Sequence, residues 1–388
     1  MHGHLVHGMG TELEAPAWPA ITLAEAEAIL ARFPQVGQVL DLQWHSPRPF
    51  SAAALLRTEY GTFFLKRHHR SLRSPAALAE EHRFMAHLRA KGLSVPEVMP
   101  TDGRGTVAQG QWTYELLRRA PGRDLYRDRQ SWTPFIEQGH AFAAGAALAR
   151  LHLAARDFAE GPRANHPLVA SFTILPSRDP LAAAESYIAA RPALAGYLAD
   201  KPWRQQLDRL LTALGRADLT AALAGQPSMW THNDWHPSNL LWSDDGTVGS
   251  VIDFGLATRT CALHDLATAI ERSTIPWLDV PDRTGDADAA CAILAGYRSV
   301  LPISAAEVET VLALLPLVHI EFALSEVDYF VGILDDRGQA KLAWQDYLID
   351  HADWFLSRSG RDFLRDVTAG ASGARAGDGR TGDAGVLS

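Results

Sequence analysis

Two short polar loops constrain this chain more than any other feature of it. The first reads His232-Asn233-Asp234-Trp235-His236-Pro237-Ser238-Asn239, and the second reads Asp253-Phe254-Gly255. Between them, apolar runs at 240–242 and 250–252 flank the turn Asp244-Asp245-Gly246. That pattern predicts a strand, a tight turn and a second strand, with one polar loop before the hairpin and the other after it.

These residue types suit one chemistry. In-line phosphoryl transfer asks a protein for a carboxylate that orients the attacking hydroxyl and for oxygen ligands that hold magnesium across the phosphates. Asp234, Asn239 five residues on, and Asp253 beyond a hairpin supply those parts. The same chemistry in a kinase-like fold also requires a strand lysine on the nucleotide phosphates and a helix glutamate to hold it. Strand alternation puts Phe64 and Lys66 on one face, and Lys66 is the only lysine before Lys91. Ser74, followed by Pro75, starts the next helix and Lys91-Gly92 ends it. On that helix Ala77, Glu81, Phe84 and Leu88 form one stripe. Glu81 sits inside the apolar face, where an unpaired carboxylate is costly, whereas Glu80 points off it. Glu81 is the expected partner of Lys66.

The chain resembles the superfamily of aminoglycoside phosphotransferases, choline kinases and type II homoserine kinases over roughly residues 40–335. The resemblance implies an α+β, protein-kinase-like fold of two lobes, with a small antiparallel-sheet N-lobe and a mostly helical C-lobe. It implies ATP and Mg2+ as cofactors, Asp234 as catalytic base, and Asn239 and Asp253 as metal ligands. His232 would brace the loop, and Asp265, in Leu263-His264-Asp265-Leu266-Ala267, would steady it. Tyr114-Glu115-Leu116-Leu117 looks like the hinge between lobes, where backbone groups, those of Glu115 and Leu117 among them, would hydrogen-bond the adenine edge. Ala147-Leu148-Ala149-Arg150-Leu151-His152 looks like a recurring helix end, to which only packing is assigned. The expected division is a flexible N-terminus (1–20), an N-lobe (21–118), a C-lobe (119–366) and a disordered tail (367–388) poor in apolar residues.

The local elements agree with that division. Thr22 and Glu25 make a capping box, runs at 53–58 and 62–66 around Glu59-Tyr60-Gly61 predict a hairpin, and strands are expected at 106–108 and 112–117. Thr133-Pro134 is expected to open a helix through Leu151, and the last helices to cover about 305–335 and 338–366.

Three departures matter. No glycine-rich phosphate loop exists: 45–51 reads His-Ser-Pro-Arg-Pro-Phe-Ser, so the side chain of Ser46 or Ser51 is expected to contact phosphate instead. Gly105 and Gly110 imitate a Walker motif, but Gln111-Trp112 follows where Lys and Ser/Thr are required. Asn233 stands where protein kinases carry arginine, no A-P-E appears, and only nine residues, 256–264, separate the D-F-G from Asp265. A peptide-docking segment has no room, which favours the hydroxyl of a small molecule over a protein acceptor. A Ser/Thr protein kinase of the same superfamily is the alternative. From another class comes a metal-dependent phosphohydrolase using His232 or His236 with His264-Asp265.

For the acceptor, the helix around 317–331 carries an apolar stripe of Leu317, Ile320, Leu324, Val327 and Val331. Glu321, Ser325 and Asp328 form a second stripe, expected to make a wall for a cationic amine. Trp230 and Trp235 are expected in the core. A net charge of −9 and a pI near 6.0 give no basic footprint for nucleic acid. No run of about 18 apolar residues marks a membrane span. Two cysteines, Cys261 and Cys291, are too few for a disulfide framework and point to the cytoplasm. His2, His4 and His7 are expected at the surface rather than on a metal. Nothing in the sequence speaks to oligomeric state.

Overall fold

The computed structural model describes residues 4–8, 10, 12–164, 166–216, 218–277 and 284–372. The stretch expected to be flexible before residue 21 contributes two short paired strands, β1 (Val6–His7) and β2 (Leu13–Glu14); His2 lies outside the described residues. Helix α1 (Leu23–Leu30) starts at the Thr22 capping box, with both reciprocal hydrogen bonds formed.

An antiparallel sheet follows. Strands β3 (Val39–His45), β4 (Ala52–Thr58) and β5 (Gly61–His69) form a meander. Helix α2 (Pro75–Ala90) has Ser74 at its N-cap, its side chain accepting from the Ala77 amide, and Pro75 where a missing N–H costs nothing. Short β6 (Glu97–Val98) and β7 (Val107–Gln109) lead to β8 (Trp112–Arg118), and the main path of the sheet is β3-β4-β5-β8-β6. The β5–β8 register sets Lys66 beside Glu115, so both side chains leave the same face. The other face of this sheet packs Ala54, Leu56, Phe63, Leu65 and Leu116 against Ile29 and Phe33 in a small core of its own.

Beyond β8 helices dominate. Helix α3 (Gln138–Ala155) begins later than Thr133-Pro134 suggested. Trp132 takes a left-handed φ of 61° and Thr133 caps back onto the Gln130 carbonyl at 2.8 Å, so 130–137 is a loop that holds Trp132 in the cleft. Helices α4 (Pro180–Ala189), α5 (Pro192–Leu198), α6 (Trp203–Leu214) and α7 (Leu219–Ala224) come next. The hairpin β10 (Leu240–Trp242) and β11 (Val248–Val251) is framed by a second pair, β9 (Ser228–Thr231) with β12 (Thr258–Cys261). Helices α8 (Ala262–Thr274), α9 (Ala287–Val300), α10 (Ala305–Leu314) and α11 (Ile320–Gly332) complete the centre. The helical stretch expected over 305–335 is two helices, interrupted around Pro316, whose ring removes a donor and clashes with the preceding turn. The last helical stretch is likewise divided: α12 (Arg337–Leu342), a π-helical segment (Ala343–Asp350), α13 (His351–Leu356) and α14 (Arg358–Ala371). Thus α14 overruns the expected tail boundary at 367, and 373–388 lie outside the described residues.

The larger core includes Phe84 and Leu88 of α2 together with Trp230, Trp235 and Phe254. Phe84 meets Trp230 at 5.2 Å and Phe254 at 5.9 Å between ring centroids. Because Phe254 belongs to the D-F-G loop, the helix next to the sheet and the loop of the helical region share one aromatic contact. No helix among the described residues is long and apolar enough to cross a membrane.

Candidate active site

The loop 232–239 is held from beneath by buried polar contacts. Asp265, at the first turn of α8, accepts from the backbone N–H of His232 at 2.9 Å and of Asn233 at 2.7 Å. The Asp234 amide donates to His232 Nδ1 at 3.2 Å, so Nε2 carries the proton and donates to the Ile252 carbonyl at 3.0 Å. This ties the first loop to the strand before Asp253. Asn233 sits at φ 61°, a left-handed geometry that asparagine tolerates better than most residues; its Oδ1 accepts from Thr231 and Thr260 hydroxyls. His152 was assigned packing alone, yet its Nε2 contacts Asp265 at 3.0 Å and its Nδ1 the Tyr297 hydroxyl at 2.7 Å. His152 stands three residues before the end of α3, and nothing in its spacing marked that contact. Trp230 and Trp235 are buried in the core as expected.

Above this base the cleft has two halves. One is lined by Trp44, Ala53, Leu55, Phe64, Leu117, Leu241 and Ile252, with Ser46 on the β3–β4 loop and the backbone of 118–120 along one edge. Apolar walls beside a strand edge suit a flat heteroaromatic base. The other half contains Asp234 and His236 under Trp132, Phe322, Tyr347 and Phe50, with His7 and Gly8 of the N-terminal segment at its side.

At the junction stand Lys66, Asn239 and Asp253, which line both halves. Lys66 Nζ lies 3.4 Å from Asp253 Oδ1. Burial opposes charge on Lys66, but the fields of Asp253, Glu115 and Glu81 outweigh it and raise its pKa. Asp253 takes φ 59°; burial pushes its carboxyl up, while Lys66 more than offsets this and holds it below the ordinary range. Asn239 Nδ2 donates to the Asp234 carbonyl at 2.8 Å and to Asp234 Oδ2 at 3.1 Å. Its Oδ1 has no hydrogen-bond partner among the described residues. A hard cation takes oxygen ligands, and this Oδ1 and the Asp253 carboxylate, on residues that line the same boundary, offer such a pair.

Asp234 is shaped by residues the sequence did not point to. Arg272 of α8 donates to Oδ1, and His236 Nε2 lies 3.4 Å from the same oxygen. Burial acts to raise the Asp234 pKa; His236 and Arg272 reverse that and keep the carboxylate well below its usual range. The Arg272 guanidinium stands 4.3 Å from the Phe322 ring, which fixes it without neutralising it. Glu326, one turn along α11, is buried with neither carboxylate oxygen hydrogen-bonded among the described residues. Burial pushes its pKa well up, so the charge of Arg272 is directed to Asp234.

Several expectations are corrected. Glu81 forms no ion pair with Lys66; it faces Arg163 at 3.6 Å, with Glu80 3.8 Å from the same guanidinium. Arg163 has a fully buried side chain, so it takes the carboxylates nearest to it, and Lys66 meets Asp253 instead. Glu115 does not line the nucleotide-shaped half. Its carboxylate is bound by His68 at 3.1 Å and His82 at 2.7 Å, and burial, which would raise its pKa, is outweighed by these two donors. Leu117 and Ser46 do line that half.

The stripe Glu321, Ser325 and Asp328 is buried, but not toward the cleft. Glu321 accepts from the Thr173 and Ile174 amides, both at 2.7 Å, and from the Ser171 and Thr173 hydroxyls. Ser325 accepts from the Leu168 amide at 2.8 Å, and Asp328 lies in the field of Arg191. These acids pin the loop before α4 and the start of α5; the residue of α11 that reaches the cleft is Phe322. The histidine-aspartate metal site is not formed either. Asp265 binds backbone amides and His152, His264 packs on Phe172 at 4.4 Å, and the one cluster among the described residues with metal-ligand spacing, Glu271, His319 and His351, contains none of the expected ligands.

Comparison with known proteins decides the family. Residues 23–303 match the model of the phosphotransferase enzyme family. The chain belongs to that family. It is 29% identical to a homoserine kinase of Acidiphilium cryptum over 72% of this chain and 78% of the relative. It is 31% identical to a homoserine kinase of Gluconacetobacter diazotrophicus over 65% of this chain and 70% of the relative. Among solved structures, a microcompartment-associated aminopropanol kinase superposes with TM-score 0.57 at 20% identity, covering 89% of this chain and all of the other. The amicoumacin kinase hAmiN, in complex with AMP-PNP, Ca2+ and Ami, superposes with TM-score 0.51 at 16% identity over 83% of this chain and 89% of its own. The kinase-like fold is thereby shown, and phosphoryl transfer to a hydroxyl of a small molecule is the activity this phosphotransferase family membership carries.

Proposed function

We propose that this chain transfers the γ-phosphate of ATP to the side-chain hydroxyl of a small hydroxy amino acid, with Asn239 and Asp253 holding Mg2+. The observation that carries the reading is the division of the cleft. Asp234 lies in one half, the base-shaped walls line the other, and Lys66, Asn239 and Asp253 stand at the boundary. A magnesium ion held there by Asn239 and Asp253 would offset the negative charge of the phosphates. Lys66 gives a further fixed positive charge, and Glu115 and Glu81 keep it protonated. Asp234, ionised and hydrogen-bonded by Asn239, is available to accept the hydroxyl proton as the new O–P bond forms. Arg272 and His236 orient it and limit its basicity, which suits a carboxylate that positions a nucleophile more than it strips one.

A small acceptor is supported by the enclosure of its half of the cleft by Trp132, Phe322, Tyr347 and Phe50. It is supported again by the short path from Gly255 through β12 to α8, which leaves no peptide-docking segment. The hydroxy amino acid is suggested by the homoserine kinases among the relatives. We place the enzyme in the cytoplasm, where ATP is available. The test is ATP consumption against homoserine, serine, threonine, aminopropanol, aminoglycosides and casein, with and without Mg2+. Magnesium-dependent turnover highest on a hydroxy amino acid is expected; turnover confined to aminoglycosides or casein would overturn the acceptor.

A further inference from the structure

We propose that Arg48 is a catalytic residue, the side chain that stabilises the transferring phosphoryl group from the loop where a glycine-rich turn is missing. The proposal rests on the reading of the cleft just given. Four residues line both halves of the cleft: Lys66, Asn239, Asp253 and Arg48. The first three are the groups already set against phosphate and metal. Arg48 is the fourth member of that boundary, and it comes from the other side, on the loop between β3 and β4.

The loop explains why an arginine is needed. A phosphate loop ordinarily works through backbone N–H groups that glycine allows to approach closely. Here Pro47 and Pro49 flank Arg48, and proline carries no N–H. The amides on either side of Pro47 are occupied: Ser46 donates to the Ala53 carbonyl at 2.8 Å and Arg48 to Ser46 Oγ at 3.3 Å. The side chain at this tip that brings full positive charge to the cleft is Arg48. The same two prolines fix the backbone around Arg48, and the loop is tied down by the His7 amide on the Pro47 carbonyl at 2.8 Å.

The guanidinium is anchored yet mostly unspent. Nη1 donates to the Arg129 carbonyl at 2.7 Å, its one hydrogen bond among the described residues, which leaves Nε and Nη2 available out of five N–H groups. It lies in the fields of Asp124, Asp253, Asp234 and Asp128, and it shares the cleft boundary with Asp253. In the step itself the bond from the γ-phosphorus to the ADP oxygen breaks and the bond to the acceptor oxygen forms. The acceptor proton passes to Asp234, and Arg48 changes no bond. Its contribution is charge at the equatorial oxygens, largest when the group is in flight, and a guanidinium fork matches those oxygens where an ammonium does not.

The experiment separates transition-state from ground-state binding. Calorimetry on wild type, Arg48→Ala and Arg48→Lys would measure the affinity for MgADP alone and for MgADP with fluoroaluminate, which mimics the phosphoryl group in transfer. Arg48→Ala should bind MgADP as wild type does, lose the fluoroaluminate complex by about 100-fold or more, and drop in kcat by about 1,000-fold, the scale of an arginine supplied to a phosphoryl group. Arg48→Lys should fall between, and added guanidinium should restore part of the Arg48→Ala rate. Equal weakening of both complexes, or a lowered melting temperature with kcat preserved, would make Arg48 a structural anchor and overturn the proposal. Asp253→Asn serves as the control for the cleft. If wild type bound no MgADP, or Asp253→Asn bound it normally, the reading of the cleft would fail and this proposal with it; if that control behaves and Arg48→Ala is silent, only Arg48 is wrong.

Discussion

At the level of single residues, the division is between groups that chemistry names and groups that only packing names. Asp234, Asn239 and Asp253 stood out because magnesium and a hydroxyl need oxygen ligands at fixed spacing, and the three line one cleft. Arg272 and His152 did not, because an arginine after Glu271 or a histidine near the end of a helix has no unique spacing to a loop far away in sequence. Glu321 shows the opposite error. Its helical spacing from Ser325 and Asp328 was real, but periodicity says which residues share a face and not what that face meets. With two backbone amides and two hydroxyls on its carboxylate, Glu321→Gln would set an amide NH2 against N–H donors. That should cost about 1–3 kcal/mol of stability, measured by chemical unfolding, while the KM values for acceptor and ATP stay unchanged. A raised acceptor KM without loss of stability would return Glu321 to the substrate.

At the level of elements, α2 is joined to the sheet by a buried proton-dependent contact. His82 on α2 and His68 on β5 both reach Glu115 on β8. For His82, burial lowers the pKa but the hydrogen bond and charge of Glu115 raise it overall. Folding therefore favours its protonated form. The stabilisation is full below the ordinary value of 6.5 and is lost as pH rises through the higher folded value. Glu115 runs the other way: held well below 4.5, it stabilises above that value and fails only in acid. His82→Gln should thus cost about 1–3 kcal/mol near pH 6, the scale of an unpaired buried charge partner, and much less near pH 9. Melting curves across that range would check it; a pH-independent difference would mean that His82 contributes by packing alone. The strand position of Lys66 followed from alternation and that of Glu115 from the family resemblance, but their partners depended on register across the sheet, which a single strand does not encode.

At the level of the whole molecule, the N-terminal segment lines the half of the cleft that contains Asp234. It read as flexible because it is short of apolar periodicity, yet His7 and Gly8 line the cleft, and Trp18 Nε1 donates to the Tyr329 hydroxyl on α11 at 3.0 Å. The segment spans from sheet to helical region with single contacts rather than a stripe, and such contacts leave no periodic signature. Removing residues 1–16 should raise the acceptor KM several-fold, as expected when contacts common to ground and transition states are lost, with the ATP KM unchanged. Steady-state kinetics decide this; an equal rise in both would show that the segment supports the fold rather than the acceptor half.

The placement of two indoles gives the cleft its own optical labels. Of eleven tryptophans in the chain, Trp44 lines the half shaped for a nucleotide base and Trp132 the half that holds Asp234. Each lies under a guanidinium, Arg127 at 4.5 Å from Trp44 and Arg272 at 5.4 Å from Trp132. Displacing or shielding either cation changes the polarity around one indole and not the other. Occupancy of the two halves is therefore written into separate components of the intrinsic emission, so order of binding can be followed without any attached dye.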